Sequence, residues 1–344
     1  MGLGETKTPS LAHRPLVEQA IGACIRTVPG GQTEGARIAA ALEQMGCRVT
    51  PLGARPWSPA DGPVLLVLGN AYWYPAVLRQ LLTEPKERLP LVVIWHWEPL
   101  PPPDASGLPW PSPTLRELAK IILRDWRAND VYTNYWVLRK LSRRGVIGLL
   151  AASTPGRVEF LAERNITARY LPLGYSPDHG YDMKLRRDID VLFLGDMRSW
   201  RRRRLIRLLR RRSTEVHAAG DWADPAYWGD RRTELINRSK IYLNLQRFPG
   251  EYSGLRLIIG MANRALVISE PMYRPGPFVP GVHFVSATVE EMPHVIEYYL
   301  KNDAERERIA TEGHRLVSEQ LSLDDSIQKL AAWIQEAVGE ARRS

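Results

Sequence analysis

Residues 245–270 read LQRFPGEYSGLRLIIGMANRALVISE, and this stretch decides the fold that the sequence predicts. It continues an apolar, β-rich segment at 240–245, contains the turn signal Pro249-Gly250, and ends in a second apolar segment at 265–268. The residues between the turn and the second apolar segment are typical of a short helix. Strand, loop, helix and strand in this order form the unit from which parallel α/β sheets are built.

The start of the predicted helix is suited to an anion. Ser253 is of a residue type that caps helices, so the N–H groups of Gly254 and Leu255 are predicted to lack partners in the first turn. Such a helix start carries a partial positive charge, and Gly254 lets a diphosphate approach the backbone closely. Glu270 ends the second strand, and open α/β sheets bind ligands at the carboxyl ends of their strands. The stretch therefore predicts one half of a nucleotide-sugar site.

Segment 251–262, EYSGLRLIIGMA, also resembles a known motif. It is similar to the donor-site motif EGFGLxxxEAMA of group-1 glycosyltransferases of the GT-B fold. It is closer to the CgeB-like (spore maturation protein-like) branch, in which an Arg precedes the helix core, as Arg256 does here. In that family the first Glu contacts the donor sugar and the second contacts the ribose. The resemblance implies the first role for Glu251, whereas the second Glu falls on Ile259 and the Gly after the helix falls on Arg264.

Segment 196–212 is rich in arginine and follows a predicted strand. The resemblance implies that Arg198 and Arg201, at the mouth of this strand, neutralise the donor diphosphate. The family uses an Arg and a Lys there, and an Arg can replace the Lys because it grips a phosphate with two parallel donors. The family's Arg directly after the strand-end Gly is Asp196 here. For the later arginines of this helix we favour a solvated basic face.

Asp221 and Trp222 follow the next predicted strand, at 216–219. GT-B enzymes often seat the nucleobase at this position, so both residues are candidate donor-binding residues. Packing of Trp222 in the core is the alternative, and the sequence does not decide between the two.

The amino-terminal half has the same alternation of strands and helices. A strand at 20–28 leads into Gly30 and Gly31, an Ala-rich helix, and a second strand at 48–52. The glycines lack the G-x-G-x-x-G fingerprint. They could form either a tight turn that binds no ligand or a loop that binds the donor phosphates, and the sequence leaves both alternatives open. Group-1 glycosyltransferases have a similar Gly-rich loop here, which favours the functional reading.

Two further strands end in polar residues. The strand at 64–68 is followed by Asn70, and the strand at 91–95 is followed by His96 and Glu98. An imidazole at a strand end can act as base on an acceptor hydroxyl, because its ordinary pKa lies near neutrality. The alternative is a loop histidine that bonds its own backbone. We predict His96 as a catalytic residue beside the motif glutamate, and Asn70 and Glu98 as acceptor-side residues.

The length, composition and charge of the whole chain limit the classes of protein to which it can belong. Its 344 residues suffice for two domains, and 44% hydrophobic and 25% charged residues indicate a globular protein. A formal charge of +9 indicates an anionic partner: phosphates, an acidic membrane surface or nucleic acid. Cys24 and Cys47 lie in apolar settings, and no signal peptide or bilayer-spanning run is present, so we expect a cytoplasmic protein.

Metal chemistry is not indicated. No zinc spacing, P-loop or G-x-S-x-G occurs. Asp188 and Asp190 resemble a D-x-D metal motif but stand at the amino end of their strand, which is the wrong end for a ligand. We therefore expect neither a metal nor a cofactor.

These observations predict two Rossmann-like doubly wound domains that face a cleft, which is the GT-B architecture. We place an acceptor-side domain at 1–178, a nucleotide-sugar domain at 188–325, and at 326–344 a terminal helix that packs back on the first domain. The expected reaction transfers a sugar from a nucleoside-diphosphate sugar, with UDP as the nucleotide we expect, to a hydroxyl of an unidentified acceptor (a glycan, a lipid-linked or a small molecule). The resemblance implies retention of stereochemistry.

Three alternatives stay open. One is a sugar-nucleotide epimerase of the same fold. Another is a basic protein that binds nucleic acid or an anionic membrane through the helix at 201–212, and peripheral membrane contact is also compatible with catalysis. Nucleic acid is disfavoured because the aromatic residues are scattered and not interleaved with the arginines. The third is an inactive GT-B relative.

Overall fold

The structure, a computed structural model, describes residues 19–25, 34–101, 119, 130–197, 199–211, 215–220, 227–246, 254–341 and 343. Within these residues the chain forms two parallel sheets, one in each half. The prediction of two doubly wound α/β domains is confirmed.

The first sheet has the strand order β2-β1-β3-β4-β5-β6, and each neighbouring pair is parallel. Its strands are β1 (Ala20–Cys24), β2 (Arg48–Pro51), β3 (Val64–Leu68), β4 (Leu91–His96), β5 (Ile147–Ala152) and β6 (Arg169–Tyr170). All five residues of β3 are buried and apolar, because helices cover both faces of this sheet.

The first sheet is enclosed by five helices of the described residues. They are α1 (Glu34–Gln44), α2 (Pro75–Thr83), α3 (Asp130–Arg144), α4 (Pro155–Ala162) and the carboxyl-terminal α10 (Leu323–Ala341). Helices α1 and α10 pack on one face, and α2, α3 and α4 pack on the other. In α10, Leu323, Ile327, Leu330 and Ile334 share one buried face, because they recur every three or four residues. The last helix of the chain thus lies on the first sheet.

The second sheet has the order β11-β10-β9-β7-β8 and is also parallel. Its strands are β7 (Ile189–Leu194), β8 (His217–Ala219), β9 (Ser239–Asn244), β10 (Leu266–Ser269) and β11 (Val285–Ser286). Its helices are α5 (Trp200–Arg211), α6 (Gly229–Asn237), α7 (Gly254–Ala262), α8 (Met292–Lys301) and α9 (Asp303–Gln320). Helices α5 and α8 cover one face, α6 and α7 cover the other, and α9 contributes to both clusters.

The two halves are joined where α9 gives way to α10. The backbone of Tyr175 pairs with that of Leu321 and Leu323, and Leu323 N donates to Tyr175 O at 2.9 Å. Gly174 adopts a φ of +75°, and a Cβ there would lie 2.6 Å from Leu323 N. Only glycine satisfies both conditions, so this position fixes how closely the terminal helix approaches the first domain.

Several elements differ from the sequence prediction. Helix α3 was not predicted. The amphipathic pattern of residues 115–128, which predicts a helix, falls almost entirely outside the described residues. Strand β6 has only two paired residues, and Pro172 beyond it cannot donate to a sheet ladder. Cys24 and Cys47 are both buried free thiols. No helix among the described residues is long and apolar enough to cross a membrane.

Candidate functional site

The carboxyl edge of the second sheet carries an ion pair that joins two distant segments. Arg201, in the first turn of α5, donates to Glu270 Oε2 at 2.8 Å and also contacts Oε1. The same guanidinium donates to the carbonyl of Gln246 at 2.8 Å. Glu270 is 3% exposed and also accepts the N–H of Gln246 at 2.7 Å. The strand order β10-β9-β7 makes this contact, because it places the ends of these three strands side by side.

This pairing is an additional role for Arg201 and Glu270, whose donor-binding roles stay predictions. Both were predicted to bind the donor separately. In the structure the two outer nitrogens of the Arg201 fork are engaged by Glu270, so the carboxylate compensates the charge of this arginine. The pair holds α5 against the ends of β9 and β10, and direct binding of a diphosphate must rely more on neighbouring groups.

Two such groups surround the ring of Phe193, in β7. The guanidinium carbon of Arg256 lies 5.3 Å from the ring centroid, and that of Arg202 lies 5.6 Å from it. Arg256 belongs to the first turn of α7 and reaches the carbonyl of Leu194, whereas Arg202 donates to the carbonyl of Leu245 at 2.9 Å. The first turn of α7 therefore meets the end of β7, and two described cations besides Arg201 lie at this edge.

Arg256 has an unused donor at this edge. Its Nε is buried and makes no hydrogen bond among the described residues. A Cβ at Gly195 would lie 2.9 Å from an outer nitrogen of Arg256, so this glycine lets the guanidinium lie against the loop that follows β7. A buried charged donor without a partner is costly unless an anion or water satisfies it.

Two side-chain amides at the same edge were not predicted from the sequence. Asn244 ends β9 and donates to Ser269 Oγ at 2.9 Å, and Gln246 donates to the carbonyl of Pro271 at 3.0 Å. In both residues the side-chain oxygen is buried and accepts no hydrogen bond from the described chain. Both residues are as buried as the strand residues before them, so these oxygens lie beneath the edge and not on its surface. Their signal in the sequence is a pair of polar residues at the end of an apolar strand.

The carboxyl edge of the first sheet is uncharged at its centre. His96, the last residue of β4, is fully buried, and its Nδ1 donates to the carbonyl of Gly69 at 3.2 Å. Burial, reinforced by the nearby charge of Arg157, lowers the pKa of His96 to about 3, although donation by the ring to backbone carbonyls, that of Gly69 first, opposes this. The imidazole is therefore neutral near pH 7 in this buried setting, and its catalytic role stays a prediction.

The two predicted acceptor-side residues lie beside this histidine. Asn70 is fully buried, accepts the N–H of Tyr72 at 2.9 Å, and donates to the carbonyl of Asn134 at 3.2 Å. Glu98 is half-buried and lies next to Gly69, where an added Cβ would be 3.2 Å from its Oε1. Asn70 is thus committed to the protein, whereas Glu98 has a partly accessible side chain.

The other predicted site residues divide into two groups. Gly254 and Leu255 form the first turn of α7, at the edge that carries Arg256. The remaining predictions fall outside the described residues: Gly30, Gly31, Arg198, Asp221, Trp222, Glu251 and Ser253.

The two domains contact each other beside these edges. Arg274, four residues after Glu270, forms an ion pair with Glu159 of α4. The first turn of α4 accommodates this loop because of Gly156, where a Cβ would lie 3.0 Å from the Cβ of Arg274. The loop after β10 therefore reaches from the second domain to the first.

Among the described residues, no cluster of three or more His, Cys, Asp or Glu side chains could hold a metal ion. The D-x-D-like residues are engaged in surface ion pairs, Asp188 with Arg238 and Asp190 with Lys240.

This fold defines a class of protein. Two parallel α/β domains, with the last helix packed on the first of them, form the GT-B architecture. A family model described as "Glycosyl transferase-like" matches residues 198–332, which is less than half of the chain and includes the charged edge of the second sheet. The chain matches none of the curated proteins with which it was compared.

Solved structures of similar fold include several glycosyltransferases. Sucrose-phosphate synthase from Thermosynechococcus elongatus has 12% identity and a TM-score of 0.65, over 94% of this chain and 100% of that one. HepE from Anabaena, in complex with UDP and glucose, has 11% identity and a TM-score of 0.61, over 93% and 100%. The β-glucosyltransferase of phage T4 has 11% identity and a TM-score of 0.55, over 93% and 99%. At these identities the likeness establishes the fold, and together with the family match it supports a glycosyltransferase.

Proposed function

We propose that this chain transfers a sugar from a nucleoside-diphosphate sugar to a hydroxyl group of an acceptor, without a metal and with retention of stereochemistry. One observation carries the proposal: Arg202, Arg256 and the first turn of α7 converge at the carboxyl edge of the second sheet. Ligands of open α/β sheets bind at such edges, and cations with helix N–H groups suit a diphosphate.

The chemistry follows from the charge that develops on the leaving nucleotide. As the glycosidic bond breaks, negative charge grows on the diphosphate. Arg256 and the N–H groups of Gly254 and Leu255 would stabilise it, and such electrostatic stabilisation is usually the largest contribution to catalysis. In this proposal the Arg201–Glu270 pair positions α5, and Arg202 adds positive charge beneath the ligand; Arg198 stays a predicted diphosphate ligand.

The hydroxyl groups of the donor need acceptors. Ile259, at the position of the family's second Glu, is 9% exposed and packs in an apolar cluster of the second domain, so it cannot bind a ribose. Asn244 and Gln246 are still more buried, so their side-chain oxygens do not replace this carboxylate, and the ribose would be held by other groups. Glu251 is proposed to hold the sugar, as the resemblance implies.

The acceptor is proposed to bind on the first domain, near Asn70 and Glu98. With His96 buried and weakly basic, deprotonation of the acceptor hydroxyl would depend on another group.

We keep a cytoplasmic location as a proposal, supported by the two buried free thiols. The second candidate function, an inactive relative, is favoured by the apolar environment of Ile259 alone.

The test is thermal unfolding of the full chain with a panel of nucleoside diphosphates, followed by hydrolysis assays with the matching sugar donors. We expect UDP to raise the midpoint of unfolding, since a ligand that binds only the folded state stabilises it. Hydrolysis of UDP-glucose in the presence of EDTA would support a metal-independent transferase. Nucleotide binding without turnover of any sugar donor would indicate the inactive relative, and absence of any shift would overturn the proposal. A product that keeps its nucleotide would indicate the epimerase.

A further inference from the structure

The outer surface of α5 is a continuous arginine face. At 100° per residue, Trp200, Arg203, Arg204, Arg207, Arg210 and Arg211 fall within an arc of about 120°. All six are exposed. Leu205, Ile206 and Leu209 occupy the opposite side and pack in the core of the second domain. We call the six exposed residues the arginine face; it is about 17 Å long.

The charge of this face is not neutralised by the described protein. Its arginines make only local contacts: Arg207 Nε with the carbonyl of Arg203 at 3.3 Å, Arg210 with the carbonyl of Val216 at 2.9 Å, and Arg204 with the ring of Trp200 at 5.6 Å. Among the described residues none of the five arginines forms an ion pair with a carboxylate. Five positive charges thus lie side by side on one helix.

Helix α9 of the same domain shows the opposite arrangement. Its exposed Arg308 pairs with Glu305, and Arg315 pairs with Glu312, each three residues away. These pairs cancel their charges locally, which is the usual condition of a solvated helix. The contrast shows that the arginine face is a distinct feature of α5 and not a general property of this basic chain.

We propose that the arginine face docks the protein on an anionic phospholipid bilayer. Guanidinium groups bind headgroup phosphates, and a basic helix surface is attracted to anionic lipid. Trp200, 53% exposed at one end of the face, supplies an indole ring of the kind that lies at membrane–water interfaces. A nucleic-acid surface would need several aromatic rings for stacking, and this face has one. The proposal does not depend on the transferase activity.

The experiment is cosedimentation of the full chain with vesicles of phosphatidylcholine, with and without phosphatidylglycerol. We expect binding only to the anionic vesicles. Binding should weaken steeply between about 0.1 M and 1 M salt, because the screening length falls from about 10 Å to about 3 Å. Arg203→Gln combined with Arg207→Gln should weaken the partition coefficient about 30-fold, the factor that two arginines near an anionic surface contribute.

The matched control removes two charges that are already paired. Arg308→Gln combined with Arg315→Gln should weaken binding less than about threefold, since those guanidinium groups are neutralised by their own helix. Equal losses in the two double variants, or no binding to anionic vesicles, would overturn the proposal. So would duplex DNA binding that is tighter than vesicle binding and lost in the α5 variant. Because all four positions are exposed, the thermal midpoints of both variants should match that of the wild type.

Discussion

The carboxyl edges of the two sheets are built differently. In the first domain the edge centres on His96 and Asn70, which are fully buried, uncharged and bonded to backbone carbonyls. In the second domain the edge centres on arginines: one is paired with Glu270, and Arg256 carries an unused donor. Each edge has a buried nitrogen that makes no hydrogen bond among the described residues, but at the first edge it is His96 Nε2 of a neutral ring and at the second it belongs to a guanidinium suited to an anion.

Breaking the Arg201–Glu270 ion pair, at the carboxyl edge of the second sheet, should cause the largest loss of stability. Replacing Glu270 by Gln should lower the free energy of unfolding by about 3 kcal/mol, because removing one partner leaves a partly buried charge uncompensated. Urea unfolding followed by circular dichroism measures this loss. The matched control is Glu305→Gln, which breaks the exposed pair with Arg308 and should cost less than about 1 kcal/mol. Equal losses would show that the buried pair has no special importance.

Removing the hydrogen bonds of Asn70, at the carboxyl edge of the first sheet, should cause the next largest loss in the free energy of unfolding. Asn70→Ala removes the acceptor of Tyr72 N and the donor to Asn134 O, so we expect a loss of about 2 kcal/mol in the same assay. Asn302→Ala, which removes an exposed bond to the carbonyl of Tyr298, should cost less than about 0.5 kcal/mol. A loss at Asn70 as small as at Asn302 would mean that the first edge is loosely held.

The neutrality of His96 predicts a pH dependence. Its pKa is about 3 in the folded protein and 6.5 in the unfolded chain, so the unfolded state binds the proton first. The contribution to stability is complete above pH 6.5 and is lost as the pH falls from 6.5 toward 3, at no more than about 1.4 kcal/mol per pH unit. His96→Gln should flatten this part of the profile. Parallel profiles of variant and wild type would contradict the buried, neutral state.

Much of the fold could be predicted from local patterns. The apolar runs that became β3 and β7 and the helix that starts at Gly254 are all visible in the sequence, because their signals lie within a few residues. Helix α3 was missed although Tyr135, Leu138 and Leu141 have helical spacing. Its aromatic and basic residues conceal the apolar face.

The site was less predictable because its contacts are long-range. Arg201 and Glu270 are 69 residues apart, and only the strand order brings them together. Burial likewise decides the chemistry of His96, and a strand-end histidine looks the same in sequence whether buried or exposed. The vacant oxygens of Asn244 and Gln246 became visible only once their amide nitrogens were seen to be occupied.

The most direct test of the central claim is titration calorimetry of UDP with the full chain and with two arginine variants. We predict that UDP binds the wild type and that Arg256→Gln weakens binding at least about tenfold, since a charge-assisted bond contributes about 1.5–3 kcal/mol. Arg210→Gln, on the arginine face, should bind UDP as the wild type does. Equal weakening by both variants, or unchanged affinity in Arg256→Gln, would contradict a diphosphate site at the carboxyl edge of the second sheet.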